Sequence, residues 1–328
     1  MEKLLTVTIP SYNVEKYLPE TLPTFLDESI LEKIEILIVN DGSKDNTQEI
    51  EEQFRAQYPD TIRVINKENG GHGSTINTGI ECATGKYFRV VDGDDWVDSD
   101  AFVSYVQKLE DIDSDCILTP FNQVNIGTHT SEVHYYQGVI YGQQYSFDEI
   151  INKMHGYFSI HTVTFKTEVL KKIPPISEHC FYVDEEYVCY SVPYLESVTF
   201  FSEVVYQYRF GNPSQSVSWQ NKIKNRNMHR HVVNEILRYY RSVEASEPKK
   251  QFLRRKCARL IGNQIRTYIA MPICKSTRNE IDSFLGETVK DDPALYAEVP
   301  GRANKLYRLS GGRLYVLDAF VWRLKKHD

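Results

Sequence analysis

The chain has 328 residues, of which 41% are hydrophobic and 25% are charged, and its formal net charge is -7. This balance is that of an ordinary folded protein and excludes a disordered, collagen-like or coiled-coil chain. The length suffices for one large domain or two smaller ones with a packed core. No apolar run approaches the roughly 18 residues of a membrane-spanning helix, and the N-terminus lacks a signal-peptide core, so a cytoplasmic protein is expected.

Strand-like and helical segments alternate through the first hundred residues. The strand-like segments are β-rich apolar runs bounded by polar residues, at 5–9, 34–39, 62–65 and 87–91. Apolar residues recur at helical spacing from Leu18 to Ile30, and again from Ile50 to Tyr58 behind a predicted cap at Asp45. Such alternation predicts an α/β fold with a mostly parallel, Rossmann-like sheet flanked by helices.

The pattern changes along the rest of the chain. Residues 128–144 predict an extended excursion, residues 198–208 are strand-like again, and the chain turns helical after Trp219. We therefore expect a catalytic domain over residues 1–220 and a basic, mainly helical region over residues 221–328. The six cysteines are scattered without a CxxC pair, so they are interpreted as buried thiols rather than as a zinc site or disulfide framework.

The net charge hides a division between these two regions. Residues 1–220 carry 15 Lys and Arg against 34 Asp and Glu, whereas residues 221–328 carry 23 against 11. Residues 313–326 place apolar side chains along one side of a predicted helix with basic residues at both ends. Two interpretations stay open: a peripheral anchor on an anionic inner membrane face, or packing against the acidic half or against a second copy in a homo-oligomer.

Polar and glycine-rich segments follow the predicted strands, which is where a parallel sheet binds its ligands. The candidate residues after the first three strands are Pro10, Tyr12, Asn13, Asp41, Asn69, Gly70 and Gly71. Asp41 can accept hydrogen bonds from a nucleobase or ribose, as acidic residues do in dinucleotide folds. The two glycines let a ligand approach the backbone closely.

The fourth predicted strand runs into Asp92, Gly93, Asp94 and Asp95. Three carboxylates this close together repel one another unless a cation lies among them, and their hard oxygens suit Mg²⁺ or Mn²⁺. A solvated acidic turn before a helix is the alternative for this motif taken alone. The recurrence of polar motifs after consecutive strands favours a metal and nucleotide site.

The family resemblance rests on four segments: TIPSYNVEKYL, IEILIVNDGSKDNT, NKENGGHGSTINTGI and GKYFRVVDGDDWV. In this order and at these spacings they resemble the bacterial family 2 glycosyltransferases with the GT-A fold, specifically over residues 4–100 and more loosely to about residue 219. The resemblance implies transfer with inversion from a nucleoside diphosphate sugar, usually a UDP-sugar, to an acceptor hydroxyl. It places Pro10, Tyr12 and Asp41 at the nucleotide, and Asp92 and Asp94 at a Mn or Mg ion.

The resemblance also implies a setting in cell-surface polysaccharide or glycoprotein assembly. The acceptor is then carbohydrate, lipid-linked or protein-linked, and no nucleic-acid partner is expected. At residues 75–79 this chain has TINTG where many members carry an Arg, so one cationic donor contact is missing.

The family's acidic catalytic pair corresponds here to Asp184, with Glu185 as the fallback base. A carboxylate in this place takes the acceptor proton; a helix N-cap is the structural alternative for Asp184. Residues 206–218 resemble the family's segment that closes over the donor, which would place Arg209 and Ser216 at a donor phosphate. The alternative is that these residues form only a strand end and a turn. His161 is interpreted as a partly buried residue rather than as a ligand or base.

Two other classes of function compete with this interpretation. A nicotinamide-dependent oxidoreductase is excluded, because no GxGxxG segment opens the helix after the first strand. A catalytically degenerate nucleotide-binding or scaffold subunit stays open as the alternative. Retention of Asp41, Asp92, Asp94 and Asp184 together favours the enzyme.

Overall fold

The structure is a computed structural model that describes residues 3–211, 218–301, 305 and 307. It divides into two compact units, Met1–Asn212 and Pro213–Asp328. Ser216 and residues 313–326 lie outside the described residues, so what the sequence predicts for them stays a prediction. The domain boundary near residue 220 also stays a prediction.

Strands of the first unit form two sheets. Within the described residues the strands are β1 (Leu5–Ser11), β2 (Ile34–Asn40), β3 (Ile62–Asn66), β4 (Tyr87–Val90), β5 (Trp96–Val97), β6 (Cys116–Leu118), β7 (Phe121–Asn125), β8 (Thr130–His134), β9 (Gln144–Ser146), β10 (Val163–Lys166), β11 (Ser197–Phe200) and β12 (Tyr206–Phe210). The large sheet has the order β3-β2-β1-β4-β10-β6-β11-β9 and the small sheet the order β5-β12-β7-β8. Strands β1 to β4 are mutually parallel, and β10 is antiparallel to both of its neighbours.

The parallel half of the large sheet confirms the predicted α/β fold. Every residue of β1 and β2 is buried, so both strands lie inside the sheet. The middle of β2 is a continuous apolar run, whereas β1 alternates apolar residues with the buried threonines Thr6 and Thr8. All four strands predicted in the first hundred residues are present, with ends within two residues of the prediction. The carboxyl ends of these strands form the edge that carries the candidate site.

Helices cover the large sheet and build the second unit. Within the described residues the α-helices are α1 (Leu18–Thr21), α2 (Thr47–Gln57), α3 (His72–Cys82), α4 (Ser99–Lys108), α5 (Phe147–Ile150), α6 (Thr167–Leu170), α7 (Asp184–Ser191), α8 (Trp219–Lys224), α9 (Arg226–Ser242), α10 (Glu247–Ala270), α11 (Lys275–Thr288) and α12 (Pro293–Glu298). The helical periodicity from Leu18 to Ile30 gives only α1 and a 3₁₀ turn, because Pro23 cannot donate a backbone hydrogen bond. The N-cap residue of α2 is Asn46 rather than the predicted Asp45, although the Asp45 carboxylate accepts the Thr47 amide at 3.1 Å.

Two further expectations differ from the structure. The strand-like run 198–208 forms two strands in different sheets, β11 beside β6 and β12 beside β7. The crossover between them is anchored by Glu203, which accepts the Ser104 hydroxyl at 3.0 Å and pairs with Lys108. Among the cysteines, Cys274 is exposed and Cys82 is half-buried, so not all six are buried thiols.

The described part of the second unit is helical, as the sequence predicts. Several of its basic residues are paired within the unit: Arg226 lies 2.8 Å from Glu280, Arg254 lies 2.8 Å from Glu298, and Arg230 pairs with Glu287. Part of the local positive charge is thereby balanced. None of the described helices is both long and apolar enough to cross a membrane.

Gly73 in α3 packs closely against the loop that contains Ser177, and this packing can be tested by substitution. Alanine normally stabilises a helix by about 0.5–1 kcal/mol relative to glycine, but a Cβ on Gly73 would lie 2.1 Å from the Ser177 carbonyl oxygen. We expect Gly73→Ala to lower the melting temperature, with a cost of about 1–3 kcal/mol from overpacking. The matched control is Gly286→Ala in α11, where no atom lies within 4 Å of the new methyl group. Thermal unfolding by circular dichroism should show the control at or above wild type; a stable Gly73→Ala would contradict the packing described.

Candidate active site

The polar segments singled out in the sequence gather along one edge of the large sheet. The carboxyl ends of β1, β2, β3 and β4 lie side by side, so Tyr12, Asp41 and Asp92 follow neighbouring strands. The Tyr12 ring is 49% exposed, whereas Asp41 is buried. This edge therefore offers an open aromatic face next to a buried carboxylate.

The Asp41 carboxylate holds the glycine loop that follows β3. Its Oδ1 accepts the Gly70 amide at 2.8 Å and the Lys67 ammonium group at 2.9 Å, and its Oδ2 accepts the Gly71 amide at 2.7 Å. The Asn69 side chain donates to the Asp41 carbonyl at 2.9 Å. A carboxylate oxygen can accept two hydrogen bonds, so among the described contacts Oδ2 keeps capacity for one more donor.

Close backbone contacts shape the floor of the edge. A Cβ on Gly93 would lie 2.9 Å from the Pro10 carbonyl oxygen, so the two loops can approach only because residue 93 is glycine. Asn13 has a φ of 54°, and its side-chain oxygen accepts the Lys44 amide at 2.7 Å. The Asn13 amide donates to the Ser43 hydroxyl at 3.1 Å. The loops after β1 and β2 are thereby fixed to each other.

Asp95 braces the acidic turn from inside. Its Oδ2 accepts the Tyr206 hydroxyl at 2.6 Å and its Oδ1 accepts the Arg209 amide at 2.7 Å. The Tyr206 oxygen also accepts the Asp92 amide at 3.2 Å. Burial, reinforced by the charges of Asp94 and Asp92, raises the pKa of Asp95 well above its usual range. Burial and its acidic neighbours thus disfavour the charge of Asp95, and its two hydrogen bonds tie the turn to β12.

The Arg209 guanidinium group fixes the backbone of the same turn. Its Nε donates to the Asp94 carbonyl at 2.7 Å, and one Nη lies 3.2 Å from Glu20. The group also lies over the rings of Tyr17 and Trp96, 5.0 and 4.6 Å from their centroids. The contact with a donor phosphate that the sequence predicts for Arg209 stays a prediction.

His72 opens α3 directly beneath the acidic turn. Its Nε2 lies 2.8 Å from Asp92 Oδ1, and about a quarter of each side chain is exposed. Burial alone would lower the pKa of His72, but the charge and hydrogen bond of Asp92, with the charges of Asp184 and Asp94, raise it. Burial alone would raise the pKa of Asp92, but His72 lowers it. Each residue therefore favours the charged form of the other.

His161 stands on the other side of Asp92. The ligand atoms of Asp92, Asp95 and His161 all lie within 4.8 Å of one another, which makes them a candidate metal-binding group among the described residues. Burial, with the charge of Arg89, outweighs the attraction of Asp92 and lowers the pKa of His161 to about 4. His161 is therefore neutral at pH 7 and can offer a nitrogen lone pair.

The carboxylates around this position differ in what they can offer a cation. Asp95 is engaged with Tyr206 and the Arg209 amide, whereas Asp94 is half-buried. Burial and the neighbouring charge of Asp92 raise the pKa of Asp94 to about 6, so it is largely ionised at pH 7 yet disfavours its own charge. A carboxylate whose charge is disfavoured gains from a nearby cation. Carboxylate oxygens from this turn, together with the neutral imidazole of His161, thus make a set of ligands that fits a divalent metal ion.

Asp184 is brought to this group by a tightly packed loop. It is the first residue of α7, and Glu185 is the second. The next residue, Glu186, is buried and accepts the Ser177 amide at 2.7 Å and the Ser177 hydroxyl at 2.9 Å. The loop between Ser177 and α7 lies on the glycine loop, where the His179 amide donates to the Gly70 carbonyl. The charge of Asp184 consequently acts on His72 across the site.

A family model described as glycosyl transferase family 2 matches residues 6–173 of this chain. That range is more than half of the sequence and contains the Asp41 loop, the acidic turn and His161.

The chain belongs to glycosyl transferase family 2.

Comparisons with individual proteins agree with this membership. Glycosyltransferase GlyG of Streptococcus pneumoniae serotype 4 is 31% identical over 179 residues, which cover 53% of this chain and 57% of GlyG. The chain thus spans less than two thirds of that relative. TarS 1-349 of S. aureus in complex with UDP has a TM-score of 0.65 at 17% identity and covers 98% of this chain and 92% of its own.

A second solved structure extends the likeness in fold. Mannosyltransferase PcManGT of Pyrobaculum calidifontis, in complex with GDP-Man and Mn²⁺, has a TM-score of 0.53 at 15% identity. It covers all of this chain and 89% of its own. At such identities these structures show a shared fold, the family's GT-A-like arrangement of a central sheet flanked by helices.

Three functional candidates of this family 2 chain were missed or set aside from the sequence. His72 lies in the GGHG segment, and its place directly after two glycines was the available signal. The sequence places Asp95 in the acidic turn but gives no sign that it braces the turn from inside. The sequence also favours His161 as an ordinary partly buried residue, because no local pattern shows that its neighbour in the fold is Asp92.

A buried acid behind the β2 end gives a pH-dependent prediction. Glu51 is fully buried and accepts the Asn40 side chain at 2.7 Å, and burial raises its pKa to about 7. A raised carboxyl pKa contributes stability that is complete below about pH 4.5 and is lost as the pH rises through about 7. We therefore expect Glu51→Gln to gain about 1–3 kcal/mol of stability relative to wild type between pH 5 and pH 8.

The readout is the change with pH of the difference in melting temperature, since an ill-placed amide would cost the same at both pH values. The control is Glu52→Gln, one residue along α2, whose side chain is 38% exposed. A stability difference for Glu51→Gln that does not change with pH would show that Glu51 is ionised in the folded protein.

Proposed function

We propose that this family 2 protein is an inverting, metal-dependent glycosyltransferase that moves one sugar from a nucleoside diphosphate sugar to an acceptor hydroxyl. The observation that carries the proposal is the convergence of Asp92, Asp94 and Asp184, whose charges act together on His72. Glycosyl transfer needs one carboxylate to accept a proton and others to hold a cation against a diphosphate. The turn after β4 supplies the carboxylates proposed to hold the cation, and the start of α7 supplies the carboxylate proposed to accept the proton.

A UDP-sugar is the proposed donor. The exposed Tyr12 ring offers a face for the base, and Asp41 Oδ2 has capacity for one more N–H donor such as the imide of uracil. Gly70 and Gly71 leave room for the ribose or diphosphate to approach the backbone. The complex of TarS with UDP agrees with this choice, whereas PcManGT carries GDP-Man.

We propose that Asp92 and Asp94 hold the divalent ion, Mn²⁺ or Mg²⁺. The ligand atoms of His161 and Asp95 lie within 4.8 Å of that of Asp92, so His161 would be a further ligand. When bound, such an ion stabilises negative charge on the departing diphosphate. His72 pairs with Asp92 Oδ1 and fixes the direction in which that carboxylate points. Arg209 holds the Asp94 carbonyl and so fixes the turn that carries both acids.

Asp184 is the proposed general base. The acceptor oxygen forms a bond to the anomeric carbon while the bond from that carbon to the diphosphate oxygen breaks, and the hydroxyl proton moves to the Asp184 carboxylate. Attack from the face opposite the diphosphate inverts the configuration. The N-terminal turn of α7 favours the ionised carboxylate that this step requires. Glu185 is the fallback base.

The first functional prediction concerns Asp94. Because its pKa is raised to about 6, protons compete with the metal ion below that pH. In the presence of Mn²⁺, wild-type affinity for UDP should fall as the pH is lowered from 7 to 5. Asp94→Asn should bind UDP at least roughly tenfold more weakly than wild type. Its UDP affinity should no longer change between pH 7 and pH 5, because the titrating carboxylate is gone.

Isothermal titration calorimetry with UDP and Mn²⁺ measures these changes. Asp98→Asn is the control, since it keeps the hydrogen bond that caps α4 and removes an acid close to the turn. UDP binding that survives EDTA without loss would remove the metal ion from the proposal.

The second functional prediction separates the two candidate bases. Asp184→Asn keeps the shape but cannot accept a proton, so sugar transfer should fall by roughly 10²–10⁴ while UDP affinity stays near wild type. Glu185→Gln is the matched variant and should retain most of the activity. Kinetic assays of both variants decide the assignment: the reverse pattern would identify Glu185 as the base.

The cellular process proposed for this protein is inferred from its family and not from a particular contact in the structure. We propose assembly of cell-surface polysaccharide or glycoprotein in the cytoplasm, where nucleotide sugars are made, with a carbohydrate, lipid-linked or protein-linked acceptor. The basic region 221–328 is proposed to meet the inner membrane face or a second copy of the chain. A catalytically degenerate scaffold subunit is disfavoured by the convergence of Asp92, Asp94 and Asp184.

A further inference from the structure

A row of four aromatic rings leads away from the carboxylates of the site. Tyr208 and His161 have ring centroids 4.6 Å apart with planes at 33°, and His161 and Phe121 are 5.6 Å apart at 28°. Phe121 and His134 continue the row at 4.7 Å and 32°. Near-parallel rings at such distances are mutually attractive, so the row is a rigid element.

One end of this row lies beside the carboxylates of the acidic turn. A ring nitrogen of His161 belongs to the group with Asp92 and Asp95. Burial raises the pKa of Tyr208, and so do the nearby charges of Asp95, Asp92, Asp94 and Asp184. Tyr208 and His161 are thus the part of the row closest to the reacting groups.

The other end of the row carries an exposed tyrosine. The ring of Tyr157 is 50% exposed and stands with its plane at 88° to Phe121, 5.4 Å away, and at 66° to His134, 5.0 Å away. Exposed aromatic surface that a row of packed rings connects to polar groups is typical of ligand sites.

The backbone that carries Tyr157 is held in place from several sides. The Tyr157 carbonyl accepts the Tyr136 hydroxyl at 2.6 Å and the Thr162 hydroxyl at 3.2 Å. A Cβ on Gly156 would lie 2.4 Å from the Tyr136 ring, so glycine is required for this approach. Gln137 and His155 exchange backbone hydrogen bonds of 2.8 and 3.0 Å. An exposed ring that is held this firmly is preorganised for contact.

Topology places this ring on the acceptor side of the reaction. The nucleotide motifs follow β1, β2 and β3, and Asp92 follows β4. In the large sheet β10 lies on the side of β4 opposite to β1, and His161 precedes β10 by two residues. A donor extending from Tyr12 to Asp92 therefore points its sugar toward the half of the unit that carries the aromatic row.

We propose that Tyr157 forms the acceptor subsite and that the group bound there is a sugar ring, whose C–H face packs on the tyrosine. The inference rests on the proposed glycosyltransferase function and deepens it by assigning the acceptor class. A pyranose presents a flat apolar face to such a ring and hydroxyls to the solvent around it. An open-chain polyol has no such face and binds this subsite weakly.

The test uses the full chain and four proteins. Wild type, Tyr157→Ala, Tyr157→Phe and Tyr135→Ala are examined by saturation-transfer NMR with methyl β-glucoside, methyl β-galactoside and methyl β-N-acetylglucosaminide, and with ribitol and glycerol as ring-free probes. Tyr135 is the matched control, because it is 56% exposed, adjoins His134, and makes no ring contact among those described. UDP affinity with Mn²⁺ is measured on the same samples.

We expect at least one glycoside to bind wild type, with loss of roughly three- to tenfold in affinity in Tyr157→Ala. Tyr157→Phe, which keeps the ring, and Tyr135→Ala should bind it like wild type, and UDP affinity should be equal in all four. Equal glycoside binding by Tyr157→Ala, no glycoside binding by wild type, or preference for ribitol would overturn the proposal. Failure of wild type to bind UDP would instead contradict the proposed function.

Discussion

Mutual repulsion among three carboxylates in four consecutive residues is the constraint on which the rest of the site depends. Asp95 turns inward and accepts the Tyr206 hydroxyl and the Arg209 amide, while burial and its acidic neighbours raise its pKa. His72 lowers the pKa of Asp92, and Asp94 is left with a pKa of about 6. One acidic turn therefore provides a structural brace, an acid paired with His72 and an acid whose charge a cation would stabilise.

The small sheet links this division of charge to the rest of the first unit. Strand β12 supplies Tyr206 and the Arg209 amide to Asp95, and between them it carries Tyr208, which starts the aromatic row. Because β12 pairs with β7, Phe121 is held in register with Tyr206 and the row continues outward. The strand that holds Asp95 thus also positions the proposed acceptor side.

Local sequence was enough to predict the elements whose signal is local. The β-rich runs at 5–9 and 34–39 identify buried strands, because their residues are apolar or are threonine and have turn or polar residues on either side. The ends of the strands then identify Asp41 and Asp92. The helix predicted from Leu18 does not continue as an α-helix through Pro23, because proline has no amide hydrogen to donate. Apolar periodicity alone did not reveal this interruption.

The residues that could not be predicted depend on distant parts of the chain. The role of Asp95 requires Tyr206, which is 111 positions away. His161 reaches Asp92 only because β10 inserts next to β4, and nothing near residue 161 specifies that neighbour. Similarly, the backbone of Tyr157 is held by a hydrogen bond from the Tyr136 hydroxyl. Tyr136 lies in residues 128–144, for which the sequence predicts only an extended segment.

The central claim is that this edge of the sheet binds and activates a nucleotide sugar with the help of a divalent ion. The most direct measurement is release of nucleoside diphosphate from a panel of UDP-, GDP- and other nucleotide sugars by the purified chain with Mn²⁺, since slow donor hydrolysis needs no acceptor. The account predicts release from at least one UDP-sugar, abolished by EDTA. Release that persists in EDTA, or no release and no binding across the whole panel, would contradict it.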